Sequence, residues 1–248
     1  VAEDEFGKIY LNDLKNSNVS TGGSKFTIGD GMTGTCLVLT TPDAERTMNT
    51  CLSISSNFSI KNIDLVDLKN SEYLYIEGYL VTSDVAMEAV HKSIEFSNNN
   101  DVKIALTFSD LAMVKYFKDN FKSILNKKVD LLFCNEDEAK TFSGRDTLED
   151  SIKYLGKLTS ILVLTLGKDG SLIYHNGEKI IINPYPTKAV DTVGAGDTFA
   201  GAFLYGITNG LSLKKSGDLA SLLSSKVVSK IGPRLEKDDI LSNKFFFK

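Results

Sequence analysis

The chain has 248 residues, 42% of them hydrophobic and 24% charged, with a net charge of −4, a length that suits one substantial domain with a large core. No basic stripe argues for nucleic acid, and no apolar run reaches membrane-spanning length, which sets both of those partner classes aside. The three cysteines, Cys36, Cys51 and Cys134, are odd in number and form no Cys-x-x-Cys pair, the pattern of reduced thiols in a cytoplasmic protein.

Taken in order, Val1 to Asn16 reads as the end of a strand running into an amphipathic helix. Phe6, Ile9, Tyr10 and Leu14 fall at helical spacing, with Glu3, Asp4 and Glu5 in the first turn. A chain that opens on Val1 inside such an element reads as a fragment or a truncated reading frame. Thr33 to Thr41 and Arg46 to Ser53 predict two strands joined by the turn Thr41-Pro42-Asp43-Ala44-Glu45. This hairpin, about 24–54, is expected to form a lid within a single domain spanning 1–248. Arg46 could meet a substrate or phosphate there, or be a solvated turn charge.

From about residue 64 strands and helices alternate. Strands are predicted at Glu72–Ile76, Val102–Thr107, Val129–Phe133 and Ile161–Leu166, with a final pair at Gly170–Tyr174 and Lys179–Asn183. Helices are predicted at Asp84–Ser97, Asp110–Leu125, Asn135–Phe142, Thr147–Leu158, Asp197–Thr208 and Ser212–Ile231, Asp110 capping its own. The fold class is α/β: a mainly parallel sheet covered by helices on both faces.

Ligands of such sheets sit beyond the carboxyl ends of the strands, and three stretches fall at that edge. The first is Asp191-Thr192-Val193-Gly194-Ala195-Gly196-Asp197, a small-residue turn opening into a helix. Backbone N–H groups at Gly194, Ala195 and Gly196 would point into one concavity facing the positive end of the helix dipole, a cradle for phosphate. A P-loop is excluded because Asp197, not Lys, follows Gly196. A dinucleotide fingerprint is excluded because Phe199 stands where a third Gly or Ala is needed. Asp197 is the candidate general base, able to take the proton late, as an alcohol oxygen bonds to phosphorus. Asp191 either fixes the turn or helps hold a cation. The second stretch contains Asn135 and Glu138, three apart on one helical face, either Mg²⁺ and phosphate ligands or a helix cap. In the third, Thr165, Gly167 and Gly170 form a turn that could let the backbone approach a nucleotide, or a plain hairpin turn. His91 and His175 have no partners at metal-ligand spacing and read as structural.

Asp191–Asp197 resembles the carboxyl-terminal signature of the ribokinase/PfkB family of sugar and nucleoside kinases. Asn135-Glu136-Asp137-Glu138 is similar to that family's Asn-x-x-Glu motif, and Thr165–Gly170 to its nucleotide-binding turn. The resemblance extends from the first helix to about Arg234. It implies an ATP-dependent kinase acting on a hydroxymethyl group of a sugar or nucleoside, with Asp197 as base and Gly194 to Gly196 as anion hole. Asn135 and Glu138 would order Mg²⁺ and phosphate. Adenine would lie near Gly167 and around Ser221 to Ile231. Asp191 would be the ligand of a monovalent cation such as K⁺. The 41–48 run looks most like the adenosine-kinase-like branch. The family's amino-terminal Gly-Gly segment has no counterpart ahead of Val1, and Gly22-Gly23 stands in the wrong place to replace it. An active kinase whose start lies elsewhere, a non-catalytic nucleotide-binding fragment and a poorly folding remnant therefore stay open, as do monomer and homodimer.

Overall fold

A computed structural model describes residues 1–21, 31–41 and 46–241. Helix α1 (Glu5–Asn16) is followed by an antiparallel hairpin, β1 (Thr35–Thr40) with β2 (Arg46–Cys51), in which Thr40 opposes Arg46. The alternating region follows as α2 (Leu65–Lys69), β3 (Tyr73–Ile76), α3 (Asp84–Asn99), β4 (Lys103–Thr107), α4 (Leu111–Tyr116) and α5 (Lys118–Leu125). It continues with β5 (Val129–Asn135), α6 (Glu136–Ser143), α7 (Leu148–Leu155), β6 (Thr159–Thr165), β7 (Ser171–His175) and β8 (Glu178–Ile182). Helices α8 (Ala195–Thr208), α9 (Leu213–Val227) and α10 (Lys237–Leu241) close the chain. Strands β3 to β8 form one sheet in sequence order, parallel from β3 to β6 and antiparallel beyond.

Strand alternation builds the two cores. Ile104, Leu106, Leu132, Leu162 and Leu164 face a cluster with Ile94, Val114, Phe121, Phe142 and Ile152 from helices α3 to α7. Ala105, Leu131, Phe133 and Val163 face the other way, onto Phe199, Phe203, Leu219 and Leu223 of α8 and α9. Both faces of the central strands are thus dry, which is why they read as unbroken apolar runs. The expected fold class is the one observed. Among the described residues, no helix is long and apolar enough to cross a membrane.

Several local readings are corrected. Residues 1–4 are not strand; Asp4 caps α1, accepting the Gly7 N–H at 2.7 Å. The predicted apolar stripe of α1 is not a buried face: Phe6, Ile9 and Tyr10 are exposed, and Gly7 is the helix's buried residue. The single helix predicted over 110–125 is two, broken at Phe117 (φ −122°), although Asp110 does cap the first through the Ala112 N–H. The second hairpin strand stops at Cys51 and a 3₁₀ turn takes over at Ser53. The last long helix ends at Val227 rather than at Ile231. The hairpin turn 42–45, Gly22-Gly23 and the Arg46 side chain lie outside the described residues.

Candidate active site

Asn135 and Thr165 end neighbouring parallel strands and oppose each other in register. The chain leaves β6 through Leu166 into a 3₁₀ turn at Gly167–Asp169, and Gly170, at φ +91°, returns it into β7. A Cβ on Gly170 would meet Ile182 O at 2.3 Å, so this glycine is imposed by the neighbouring strand. Gly167 has nothing within 4 Å of the same position. Its open side faces a cavity of about 510 Å³ whose lining includes Thr165, Gly167, Lys168, Gly170, Thr192, Ala195, Gly196 and Phe199. The lining also includes Pro184, Tyr185, Pro186 and the α9 serines Ser221, Ser224 and Ser225. Those three hydroxyls donate to backbone carbonyls, of Asn183, Ala195 and Leu222, at 3.1, 3.1 and 2.7 Å. Two of the sequence stretches, far apart in the chain, therefore share one cavity with the carboxyl half of α9.

The turn itself divides its labour. Gly194 sits at φ +77° as the N-cap of α8, and a Cβ there would meet Pro233 O at 2.4 Å. Its missing side chain is needed for the turn and for Pro233; Gly194 is not among the residues lining the cavity. Gly196 is the open one, with nothing within 4 Å of a Cβ. The Ala195 N–H, expected to point at a ligand, donates to Thr192 O at 3.3 Å. The first-turn N–H groups of Gly196 and Asp197 have no acceptor within their own helix. Asp191, 4% exposed, accepts the Val193 N–H through Oδ1 and the Gly232 N–H through Oδ2, each at 3.0 Å. It fixes the turn and pins it to the loop after α9.

Asn135 and Glu138 form a complete capping box. Glu138 N–H donates to Asn135 Oδ1 at 2.8 Å, while Asn135 N–H and Nδ2 reach the two Glu138 oxygens at 2.9 Å. Burial is the main cause that raises the Glu138 carboxyl to about 7; the Asn135 N–H opposes it, and Asp110 and Asp137 add to it. Neither residue lines the cavity. Among the described residues, no cluster of three or more His, Cys, Asp or Glu could hold a metal ion. His91 Nε2 lies 3.2 Å from Ser123 Oγ and His175 Nδ1 lies 2.9 Å from Ser160 O, both away from the cavity.

Asp197, in the first turn of α8, has company that the sequence motifs did not announce. The ends of β3 and β4 bring Tyr75, Glu77, Thr107 and Ser109 together. The Ser109 hydroxyl donates to Glu77 Oε2 at 2.9 Å and accepts the Gly78 N–H at 2.8 Å. Ser109 holds this post at φ +65°, a left-handed conformation that a non-glycine residue adopts at a cost and that clusters at functional sites. Burial raises the Glu77 carboxyl, the Ser109 bond opposes this, and the Asp197 charge raises it further. The Tyr75 phenol is pushed far up by burial, then by Glu77 and Asp197. Asp197 thus stands with the glycine cradle on one side and a half-buried polar cluster on the other. The strand-end rule applied to β3 and β4, as to β5 and β6, would have found Glu77 and Ser109.

Comparison with known proteins fits this geometry. An ATP-dependent 6-phosphofructokinase of Thermoanaerobacterium thermosaccharolyticum is 36% identical over 178 residues, covering 70% of this chain and 55% of that protein. A crystal structure of a probable sugar kinase from Rhizobium etli superposes with TM-score 0.93 at 29% identity, over 99% of this chain and 74% of that one. Adenosine kinase from Sinorhizobium meliloti superposes equally well, with TM-score 0.93 at 26% identity, over 99% and 75%. The chain therefore spans a little over half the length of the phosphofructokinase and about three quarters of the two kinase structures. The family model for pfkB family carbohydrate kinases matches residues 1–239, and the chain belongs to that family.

Proposed function

We propose that this chain forms the main part of an ATP-dependent kinase that transfers the γ-phosphoryl group to a hydroxymethyl group of a sugar or nucleoside. The observation that carries the reading is the position of Asp197, between a cavity walled by backbone and small residues and the polar cluster around Glu77. In this reading the nucleotide lies in the cavity, with its base against Tyr185 and the α9 serines. Its phosphates face Gly196 and the first N–H groups of α8, where the helix dipole favours negative charge. The acceptor hydroxyl approaches from the side of Glu77 and Ser109 and loses its proton to Asp197 as the oxygen–phosphorus bond forms. Positioning and charge stabilisation supply most of the rate. The hairpin β1–β2 covers the acceptor as a lid, with Arg46 as its candidate contact, and the whole of 1–248 acts as one domain.

Mg²⁺ would neutralise the phosphates. Glu138 is buried and both its oxygens accept from Asn135, which suits contact through a metal-bound water rather than direct coordination; Mg²⁺ usually keeps several waters. Both Asp191 oxygens already accept an N–H, so in this reading the carboxylate fixes the turn. A monovalent cation such as K⁺ beside the turn, with Asp191 as its ligand, is tested by a K⁺ titration of turnover. The names of the relatives bracket hexose phosphates and nucleosides without choosing between them.

The deciding experiment is ADP release with ATP–Mg²⁺ against a panel of sugars, sugar phosphates and nucleosides, alongside nucleotide binding by calorimetry. Turnover on one acceptor class is the expected outcome. Binding without turnover on any acceptor would leave a nucleotide-binding protein, and absence of binding would remove the cavity from the argument.

A further inference from the structure

The contacts that hold the phosphate turn continue past it. Val190 and Asp191 donate their N–H groups to Val228 O at 2.7 and 3.3 Å, Gly232 N–H reaches Asp191 Oδ2, and Pro233 packs on Gly194. The next residue, Arg234, forms an ion pair through Nη1 with Asp13 Oδ2, near the carboxyl end of α1. The other end of α1 holds the hairpin. Asp4, its N-cap, accepts the Thr33 N–H at 2.7 Å through Oδ2 and the Thr33 hydroxyl at 2.6 Å through Oδ1. Ala2 N–H donates to the same hydroxyl oxygen at 2.9 Å, and Thr33, buried, stands two residues ahead of β1. Between these ends α1 buries Gly7, while Phe6, Ile9 and Tyr10 stay exposed. Polar contacts at its two ends therefore do much to set where the helix sits.

We propose that α1 is a strut coupling the β1–β2 hairpin to the phosphate turn, and that Asp13 and Arg234 are positioning residues for phosphoryl transfer. A hydrogen-bonded helix transmits displacement along its length as a nearly rigid body, here over about 14 Å from Asp4 to Asp13 at 1.5 Å per residue. A movement of the hairpin on acceptor binding displaces Thr33 and Asp4, then Asp13, then Arg234 and the adjoining Pro233. Pro233 lies against Gly194, where a shift changes the aim of the N–H groups that follow. An exposed ion pair adds little to global stability. Its contribution here is register. The catalytic purpose rests on the kinase reading; the mechanical link does not.

Amide hydrogen exchange on the whole, ligand-free chain tests the link, with residues 31–35 and 192–196 as the two reporting segments. Arg234→Gln and Asp13→Asn should each speed exchange at 192–196 about two- to fivefold, the range an exposed pair commands, and the double variant no more than either. The charge swap, Asp13→Arg with Arg234→Asp, should restore the wild-type rate. Added salt, which screens exposed pairs, should speed exchange at 192–196 in wild type but not in Arg234→Gln. Thr33→Val should loosen 192–196 only while the ion pair is intact; Arg234→Lys provides a milder cut where a variant folds poorly. Changes confined to 11–15 and 231–235, or a swap that restores nothing, would overturn the strut. Failure of ATP–Mg²⁺ to protect 192–196 would count against the kinase reading instead, leaving the strut to its own test.

Discussion

The two sides of Asp197 are built by different means. The cavity side is walled by backbone and small side chains: the 3₁₀ turn at Gly167, Gly196, and serines whose hydroxyls are tied to carbonyls. Its shape follows from strands and helices buried in two dry cores. The other side is assembled from polar side chains at the ends of separate strands, Tyr75, Glu77, Thr107 and Ser109. A site made of backbone fails when a Cβ intrudes. A site made of side chains fails when a donor or a charge is removed. Substitutions on the two sides should therefore leave different signatures.

The largest effect is expected at the boundary. Asp197→Asn should lower kcat by about 10²–10⁴-fold, the usual contribution of a general base, with nucleotide affinity almost unchanged because Asp197 does not line the cavity. The same substitution removes a charge that raises Glu77 and Tyr75, so both should move back toward ordinary values. Turnover equal to wild type in an ADP-release assay would remove Asp197 from the role of base.

Next come the two glycines of the cradle, which should behave oppositely. Gly194→Ala forces a residue with a Cβ to φ +77° and drives it to 2.4 Å from Pro233 O. A strained conformation of this kind costs about 1–3 kcal/mol before any clash, so the melting temperature should fall markedly. Gly196→Ala meets nothing within 4 Å and lies inside α8. There Ala is better than Gly by about 0.5–1 kcal/mol. Melting should rise slightly while ATP affinity falls, because the new methyl group stands at the cavity wall. Parallel losses of stability in both variants would erase the distinction between a glycine that makes the turn and one that opens it.

Glu138 gives a pH-dependent effect. Its folded carboxyl titrates at about 7, above the ordinary 4.5, so the folded state holds the proton more tightly than the unfolded chain. Stability should then be highest below about 4.5, fall as pH rises toward 7, and level off above. The full swing is on the order of 3 kcal/mol at one pKa unit per 1.36 kcal/mol. Glu138→Gln should flatten that slope in thermal melts between pH 5 and 8. If the carboxylate orders Mg²⁺ through water, added Mg²⁺ should raise wild-type melting at pH 8 and leave the variant unmoved. An identical pH slope in the variant would assign the titration elsewhere.

What could be read from the sequence was whatever is local. The cradle is a run of seven residues in which small side chains and two acids fix their own meaning, and Asn135 with Glu138 spell a cap within one turn. The helix break at Phe117 was hidden because Val114, Phe121, Ile124 and Leu125 keep an apolar rhythm through it, with no Gly or Pro to mark it. The apolar spacing of Phe6, Ile9 and Tyr10 was legible, but periodicity reports a stripe and not whether anything covers it. The polar cluster around Glu77 left no motif, because Tyr75 and Glu77 meet Thr107 and Ser109 only once β3 and β4 are laid side by side. Ser109 takes a left-handed turn that sequence habit reserves for glycine. Gly194 is expected to leave the concavity open, yet its missing side chain makes room for Pro233, which reaches it from a loop nearly forty residues on.

The smallest effect expected is in the polar cluster, at Tyr75, and it separates the two kinds of construction most cleanly. Tyr75 helps to lower the Glu77 carboxyl, against the raising effects of burial and of Asp197. Tyr75→Phe keeps the ring and its edge contact with Phe133, 6.4 Å between centroids, and deletes only the hydroxyl. The net loss of stability should be no more than about 1 kcal/mol, the usual worth of a hydrogen bond. Glu77, short of one donor, should titrate higher still, which ¹³C NMR of the side-chain carboxyl reads directly. Ser109→Ala removes the other donor and should push Glu77 the same way, by more, because the Ser109 bond is the larger of the two lowering contributions. Nucleotide affinity should be indifferent to both variants, since neither residue borders the cavity. A Glu77 titration that ignores both donors would mean that the cluster is packing alone, with no part in placing a hydroxyl before Asp197.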